Sequence, residues 1–396
     1  MGVEEVRAQA LEVAAGWSTR DAPPSWRLTA ALFEMIAGHD DLLGRLAVLP
    51  PDRLPALLAS AAIAFLVRRD RPEPLAAYFP EPGRPQPRFD DGFFPAARAF
   101  CSDRLDDILG VCGGRRYQMN EVARCTQIAL GIAAAEAPPA APLALVDLGT
   151  GAGFGLQLDR YRYRVGTAVS GDRAAPLTLD CEVRGARQPP PADLPPIAER
   201  AGIDVHPVDP ADPAARTWLE ACGPPEASAL TRLDAAIGLA AAHPVRIIEG
   251  DAVDALPGVL ASLRAPRVVV VDAYLAVFLP AERRARLASI LAEASRRRPV
   301  TWLSLDPLVP LGPGGRESVQ EIPVPPAVVR DYGQRGVFAV LGVRSFGDRA
   351  GSEGLLARSH PSGRWIEWLG PGTLLNAWPA AGAARPLVGF ATVRLR

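Results

Sequence analysis

The sequence lacks an excess of either charge. Its 43 basic residues, all of them arginine, are balanced by 44 acidic residues, and the formal net charge is −1. Binding to a polyphosphate backbone needs a basic face, and the arginines here are scattered rather than clustered in long runs. The composition therefore argues against a nucleic acid as partner.

Cysteine and histidine are scarce. The five cysteines are scattered and never form a Cys-x-x-Cys pair, so the sequence predicts neither a disulfide framework nor a zinc site. The four histidines include no pair at metal-ligand spacing. We expect no metal, and a reducing, cytoplasmic location fits these residues best.

Long apolar runs are also lacking. The longest, around residues 55–67, is too short to cross a bilayer, and the first residues lack the basic-then-apolar pattern of a signal peptide. The expectation is a protein with no membrane partner.

What the sequence does contain is a change of period along the chain. Up to about residue 135 apolar residues recur at helical spacing, as in "VRAQALEVAAGW" and "RLTAALFEMIAG". Short apolar or β-branched runs then alternate with segments able to form helices: "LALVDLG", "GIDVHPVD", "VRIIEG", "RVVVVDAY" and "VTWLSLD". This alternation predicts an α/β fold with a mostly parallel sheet and a C-terminal antiparallel hairpin. We predict a helical lid or substrate domain over 1–135, and an α/β domain over 136–396 with a hairpin insertion at about 161–196.

One glycine-rich segment follows the first predicted strand. Asp147 precedes Gly149, Gly151 and Gly153 at alternate positions in "VDLGTGAGFG". Glycine lets the backbone approach a ligand closely, and ligands of open parallel sheets bind beyond the carboxyl ends of the strands. A dinucleotide fingerprint needs Gly-x-Gly-x-x-Gly, which this spacing does not give. The spacing is typical of the first motif of class I methyltransferases, which bind S-adenosylmethionine (SAM), and it predicts a Rossmann-like sheet of that class.

Three further residues are candidates for binding this cofactor. The second strand is predicted to end at Asp209, whose carboxylate would accept hydrogen bonds from the ribose hydroxyls; the alternative is an ordinary Asp-Pro turn. Asp251 and Ala252 follow the third strand, where adenine is expected. Asp251 also suits a helix N-cap, and the two roles are compatible.

Asp272 and Tyr274 follow the fourth strand and are our candidate catalytic residues, facing the methyl acceptor. A helix cap at Asp272 is an equally good interpretation.

Upstream of the first strand, "RRYQMNEVARC" holds a second polar cluster. Arg124 is predicted to bind the methionine carboxylate of the cofactor and Glu121 to act as a catalytic residue facing the acceptor. Asn120 and Tyr161 are the predicted substrate-binding residues. The alternative is a solvated helix start with Asn120 as its N-cap.

Four segments together resemble a bacterial family of unknown function, domain of unknown function 2332. They are "MNEVARC", "DLGTGAGFGLQLDRYRYR", "VVVVDAYLAVFLPAERR" and "SHPSGRWIEW". The resemblance implies a SAM-dependent methyltransferase fold with an N-terminal helical region, but it supplies no reaction. Members of this family tend to have His-Ser where this chain has Asp272-Ala273, so a histidine base is not implied here.

The function predicted is a SAM-dependent methyltransferase with a small-molecule acceptor. Few catalytic side chains are needed, because holding the acceptor in line with an electrophilic methyl group and excluding water supply most of the rate. One alternative is a catalytically inactive binding or regulatory protein on this fold. A nicotinamide oxidoreductase is disfavoured because the dinucleotide fingerprint is missing. A methyltransferase that acts on a macromolecule is disfavoured because the sequence lacks a basic surface. The sequence leaves open whether the protein forms a homodimer.

Overall fold

The computed structural model describes residues 2–18, 24–136, 141–307, 318–319, 322–323, 338–347 and 353–370. Within these ranges it shows a mixed α/β protein with a large, mostly parallel sheet plus helices, which confirms the predicted fold class at that level.

The helices precede and separate the strands along the chain. They are α1 (Val3–Trp17), α2 (Arg27–Ala37), α3 (Asp40–Leu46), α4 (Pro55–Asp70), α5 (Phe93–Asp103), α6 (Leu105–Gly114), α7 (Cys125–Ala135), α8 (Pro213–Cys222), α9 (Ala227–Ala242), α10 (Ala252–Ser262) and α11 (Ala281–Ala294).

The strands begin after α7. They are β1 (Leu143–Leu148), β2 (Arg162–Val165), β3 (Ala168–Gly171), β4 (Thr178–Arg184), β5 (Ile197–Asp204), β6 (Arg246–Glu249), β7 (Val268–Ala273), β8 (Val300–Pro307), β9 (Ser318–Val319), β10 (Ile322–Pro323), β11 (Ala339–Phe346), β12 (Glu353–Ser359) and β13 (Trp365–Trp368).

Among the described strands the large sheet has the order β3-β2-β4-β13-β12-β11-β8-β7-β1-β5-β6. Strands β6, β5, β1, β7 and β8 form a parallel block. The chain runs from β1 outward to β5 and β6, then returns to β7 on the other side of β1. Such a switch of direction opens a crevice at the carboxyl ends of the strands, which is where ligands of open α/β sheets bind.

The last strands pair antiparallel, as the sequence predicts. Strand β11 pairs with β8 and β12 pairs with β11. The turn of the predicted hairpin, between β11 and β12, lies largely outside the described residues. Strands β2 and β3 form an antiparallel hairpin, and β4 connects that hairpin to β13 through a parallel pairing.

The chain forms two compact units. The helical unit contains the described residues up to Glu121 together with Asp209–Ile237. The sheet unit contains Val122–Val208 and the described residues from Gly238 onward.

The helical unit is built around α4. This helix starts with Pro55 at its first position, where the missing N–H costs nothing, and its last turn carries Arg68 and Arg69, which suit the negative end of the helix dipole. Nearly all of its residues between these ends are buried. Apolar side chains of α2, α3 and α8 join it in one core, in which Trp218 of α8 packs edge-on against Phe65 of α4.

The sheet unit has helices on both faces of its parallel block. Strand β1 is buried at every residue, as expected for a strand covered on both sides. On one face Val146, Val270 and Trp302 pack with α10 and α11. On the other, α7 approaches so closely at Gly131 that an added Cβ would lie 3.1 Å from Leu303.

In the part of the chain that the structure describes, every helix is too short or too polar to cross a membrane.

Candidate functional site

The glycine segment forms a loop at the carboxyl end of β1. Gly149, Gly151 and Gly153 have φ angles of 71°, 56° and 79°, all in the left-handed region. A side chain at these positions costs about 1–2 kcal/mol in backbone strain, so the alternation of glycines follows from the path of the chain. Other residues here would not form this loop readily.

Strand β5 holds the glycine loop in place. The Gly149 amide donates to the Ile203 carbonyl over 2.8 Å, and the Gly151 amide donates to Oδ2 of Asp204 over the same distance. The Val208 amide in turn donates to the Gly151 carbonyl at 3.1 Å. The loop and the end of the neighbouring strand are therefore one connected structure.

Strand β5 ends earlier in the chain than the sequence predicts. The strand ends at Asp204, five residues before the predicted end at Asp209. Asp204 is buried, and its Oδ1 accepts the His206 amide at 2.7 Å. Asp209 is exposed in the helical unit and accepts the Ala211 amide, which is the Asp-Pro turn of the alternative interpretation. The acid at the strand end is Asp204.

Asp147 lies underneath the loop. Its side chain is buried, and its Oδ2 accepts the Thr150 hydroxyl at 2.7 Å. Burial raises the pKa of Asp147 to about 7, the Thr150 hydrogen bond opposes this, and the charge of Asp204 adds to it. These contacts make Asp147 a residue that holds the loop.

A short helical segment follows the loop. It is a 3₁₀ helix over Phe154–Arg160, interrupted at Gln157. Tyr161 follows with its ring fully buried, and its hydroxyl donates to the Phe154 carbonyl at 3.0 Å. The Tyr161 ring packs in the interior of the sheet unit. Tyr161 is therefore not retained as a substrate-binding candidate.

Asp251 caps α10. Its carboxylate accepts the Val253 and Asp254 amides at 2.8 and 3.1 Å, and it forms an ion pair with Arg283. Ala252 is the first residue of the helix and is buried. The N-cap interpretation is therefore confirmed, and Asp251 also lies at the carboxyl edge because β6 ends at Glu249.

Asp272, at the end of β7, lies inside the protein with no exposed surface. Its carboxylate accepts the indole N–H of Trp302 at 2.7 Å and the Ser304 hydroxyl at 3.0 Å. The same hydroxyl lies 2.9 Å from Asp306, and the Ala276 amide lies 3.4 Å from Asp272. Asp272 thus ties β7 to β8.

Tyr274 and Arg124 form a stacked pair at the same edge. Tyr274 has a φ of 65°, a strained value for an aromatic residue, and its amide donates to the Leu305 carbonyl at 2.8 Å. The Arg124 guanidinium lies 3.7 Å from the centre of the Tyr274 ring, and its Nε donates to the Pro361 carbonyl at 2.8 Å. Arg124 is buried, so this cation is held close to the carboxyl end of β7.

Asn120 and Glu121 belong to the helical unit. Glu121 is buried and forms an ion pair with Arg232 at 3.4 Å. The Asn120 side-chain amide donates to the Gln118 carbonyl at 3.3 Å. The roles predicted for both residues stay predictions.

The turn between β12 and β13 completes the edge. Gly363 packs so tightly against Ala123 that a Cβ would lie 2.6 Å from its backbone, and the side-chain amide of Gln127 donates to the Gly363 carbonyl at 3.2 Å. His360 in this turn is partly buried beside several arginines, and desolvation, followed by the charges of Arg364, Arg184 and Arg124, lowers its pKa to about 3. The imidazole is neutral at physiological pH.

Four segments far apart in the sequence therefore meet at one edge of the sheet unit. Cys125 lies 3.7 Å from the Phe154 carbonyl, and a Cβ on Gly149 would lie 3.4 Å from Leu275. Arg124 joins the Tyr274 segment to Pro361. Asp204 and the Pro361–Gly363 turn were not predicted as parts of the site. The turn lies in "SHPSGRWIEW", a segment of the family resemblance to which no place in the fold was assigned.

These features define a mixed α/β protein with a glycine-loop site at the carboxyl ends of its parallel strands. The chain belongs to the family "Uncharacterized protein conserved in bacteria (DUF2332)", whose model matches residues 9–368, as the sequence resemblance predicted. No curated protein matches the sequence. The family description states no activity.

Proposed function

We propose that the protein is a SAM-dependent methyltransferase acting on a small molecule. The observation that supports this best is the hydrogen bond between the Gly151 amide and Asp204. It joins a left-handed glycine loop after β1 to a carboxylate at the end of the next parallel strand, next to the point where the chain changes direction. A loop that admits a ligand beside an acid that accepts from ribose hydroxyls is what a nucleoside cofactor needs.

The residue types at this edge suit SAM. Asp204 would accept from the ribose hydroxyls, and Arg124 would donate to the methionine carboxylate through a charge-assisted bond. Asp251 and Ala252 would lie near the adenine. Asp147 would act on the cofactor indirectly, by fixing Thr150 and hence the loop.

SAM, when bound, supplies an electrophilic methyl group. The chain then has to hold the acceptor in line and keep water out. The stacked Arg124 and Tyr274 give the site a buried wall, which the Pro361 carbonyl and the Leu305 carbonyl keep in position. Asp272 acts as a positioning residue in this account, because its hydrogen bonds to Trp302 and Ser304 fix the ends of β7 and β8.

Binding of SAM without turnover is the second candidate. Asp272 and Arg124 are both buried and hydrogen-bonded within the protein, which favours structural roles for them. The two candidates differ in product. Only a methyltransferase forms S-adenosylhomocysteine when incubated with SAM and a bacterial metabolite extract, and mass spectrometry detects that product.

The placement of the cofactor is tested by Gly151→Val. The valine side chain would enter the space beside the loop, so we expect SAM affinity measured by titration calorimetry to fall at least about tenfold. Gly83→Val is the matched control, because Gly83 has a similar φ of 70° and open space around it. Unchanged SAM affinity in Gly151→Val, or an equal loss of affinity in both variants, would contradict the placement of the cofactor at the glycine loop.

A further inference from the structure

The sheet unit has a groove at the amino edge of its strands, opposite the glycine loop. It has a volume of about 320 Å³ and lies between α10 and α11, next to Val268 and Val300, the first residues of β7 and β8. Ligand sites in proteins usually have volumes of about 300–1,000 Å³ and mostly apolar walls. The groove is large enough for a small organic molecule.

The floor of the groove is apolar. Leu260, Val268, Ile290 and Val300 form it, and all four are buried members of the core beneath the helices. The rim stays open because small residues, Ala261, Ser289 and Ala294, occupy positions where longer side chains would cover the floor. An apolar group placed here would contact side chains of the buried core.

Arginines supply the charge at the rim. Arg286 on α11 and Arg297 in the turn that follows the helix are both exposed, and both line the groove. Arg298 closes one end, donating to the Ala265 carbonyl at 2.9 Å. In the described ranges these three arginines form no ion pair: Glu293 pairs with Arg296, and Asp254 pairs with Arg283. Glu293 also lines the groove, so three arginines and one glutamate leave the rim positive above an apolar base.

We propose that this groove binds an amphipathic anion, namely a medium-chain carboxylate. The chain lies on the floor formed by Leu260, Val268, Ile290 and Val300. The carboxylate pairs with Arg297 and Arg298, which follow the C-terminal end of α11. This site is separate from the glycine loop, so it does not depend on the proposed methyltransferase activity.

The ligand class is tested with hexanoate, octanoate and decanoate below the concentration at which they aggregate, on the full chain, by titration calorimetry. Each added methylene that reaches the apolar floor should raise the affinity by up to about fourfold, until the groove is full. Decanol, which has the chain but no charge, should bind at least about fivefold more weakly than decanoate. No saturable binding of any chain at millimolar concentration would overturn the proposal, as would equal affinity for decanol.

The location is tested with substitutions at exposed positions, which the fold tolerates best. Ser289→Trp places an indole in the groove and should abolish decanoate binding, and Arg297→Gln should weaken it about fivefold. Arg264→Gln is the matched control, since Arg264 is an exposed arginine near the end of α10 that does not line the groove. Unchanged binding in Ser289→Trp, or the same loss in Arg264→Gln as in Arg297→Gln, would refute the location.

Discussion

Asp147 makes the stability of the sheet unit depend on pH in a direction unusual for an aspartate. Burial raises its pKa from 3.8 to about 7 in the folded protein. Between these values the folded state holds a proton that the unfolded chain has lost. The free energy of unfolding therefore falls as pH rises from about 4 to 7, and the loss is complete above pH 7. The difference between 3.8 and about 7 corresponds to about 4 kcal/mol.

Asp147→Asn tests this reasoning, because asparagine has the shape of the protonated acid and keeps an oxygen that can accept the Thr150 hydroxyl. Urea denaturation at intervals from pH 4 to pH 8 gives the free energy of unfolding for both proteins. The variant should match the wild type at pH 4 and become the more stable protein by about 4 kcal/mol at pH 8. The comparison uses the difference between the two proteins, since other groups titrate in the same range.

Asp209→Asn is the control, because Asp209 is exposed and its pH profile should follow that of the wild type. A constant difference between Asp147→Asn and wild type across the pH range would show that Asp147 is not held protonated, and the reasoning would fail.

Two further predictions concern packing and charge in the sheet unit. Gly155→Ala should destabilise the protein, because the added Cβ would collide with the Asp147 carboxylate. Gly258→Ala, in open space on α10, should instead stabilise the protein by about 0.5–1 kcal/mol. Thermal melting distinguishes the two variants, and equal shifts in melting temperature would contradict the packing described. The pKa of His360 is about 3, so its imidazole NMR signals should not titrate between pH 5 and 8. His360 should also lower the free energy of unfolding as pH falls from 6.5 towards 3, because only the unfolded chain gains a proton in that range. A midpoint near pH 6.5 in those signals would contradict the burial of His360.

The sequence predicted the parts of the fold that repeat a simple pattern. Strands β1 and β7 are continuous apolar runs, and their burial on both faces follows from that. The glycine spacing predicted a loop after β1, and the left-handed φ angles of its three glycines explain why these positions are glycine. The antiparallel pairing of β11 and β12 follows from two extended runs close together in the chain.

Other elements depend on contacts between distant residues. Strand β5 contains charged residues that obscure its pattern: Arg200 pairs with Asp159 at 2.6 Å, and Glu199 accepts backbone amides of the segment after α10. Nothing local marks Asp204 as the strand end. Tyr161 and Tyr163 alternate with exposed residues, a period-two signal for burial that we overlooked. The Arg124 contacts with Tyr274 and Pro361 join three segments whose separation in sequence conceals their proximity.

The central claim is that the edge formed by the glycine loop and Asp204 binds SAM. Titration calorimetry of SAM into the wild-type protein, Asp204→Ala and Asp209→Ala tests this claim most directly. Asp204→Asn is measured beside them as the conservative variant, and melting curves confirm that all variants fold. We predict saturable binding to wild type, a loss of about 2–4 kcal/mol, or at least about thirtyfold in affinity, in Asp204→Ala, and near wild-type affinity in Asp209→Ala. No saturable binding of SAM or S-adenosylhomocysteine to the wild-type protein, or a loss confined to Asp209→Ala, would contradict the account.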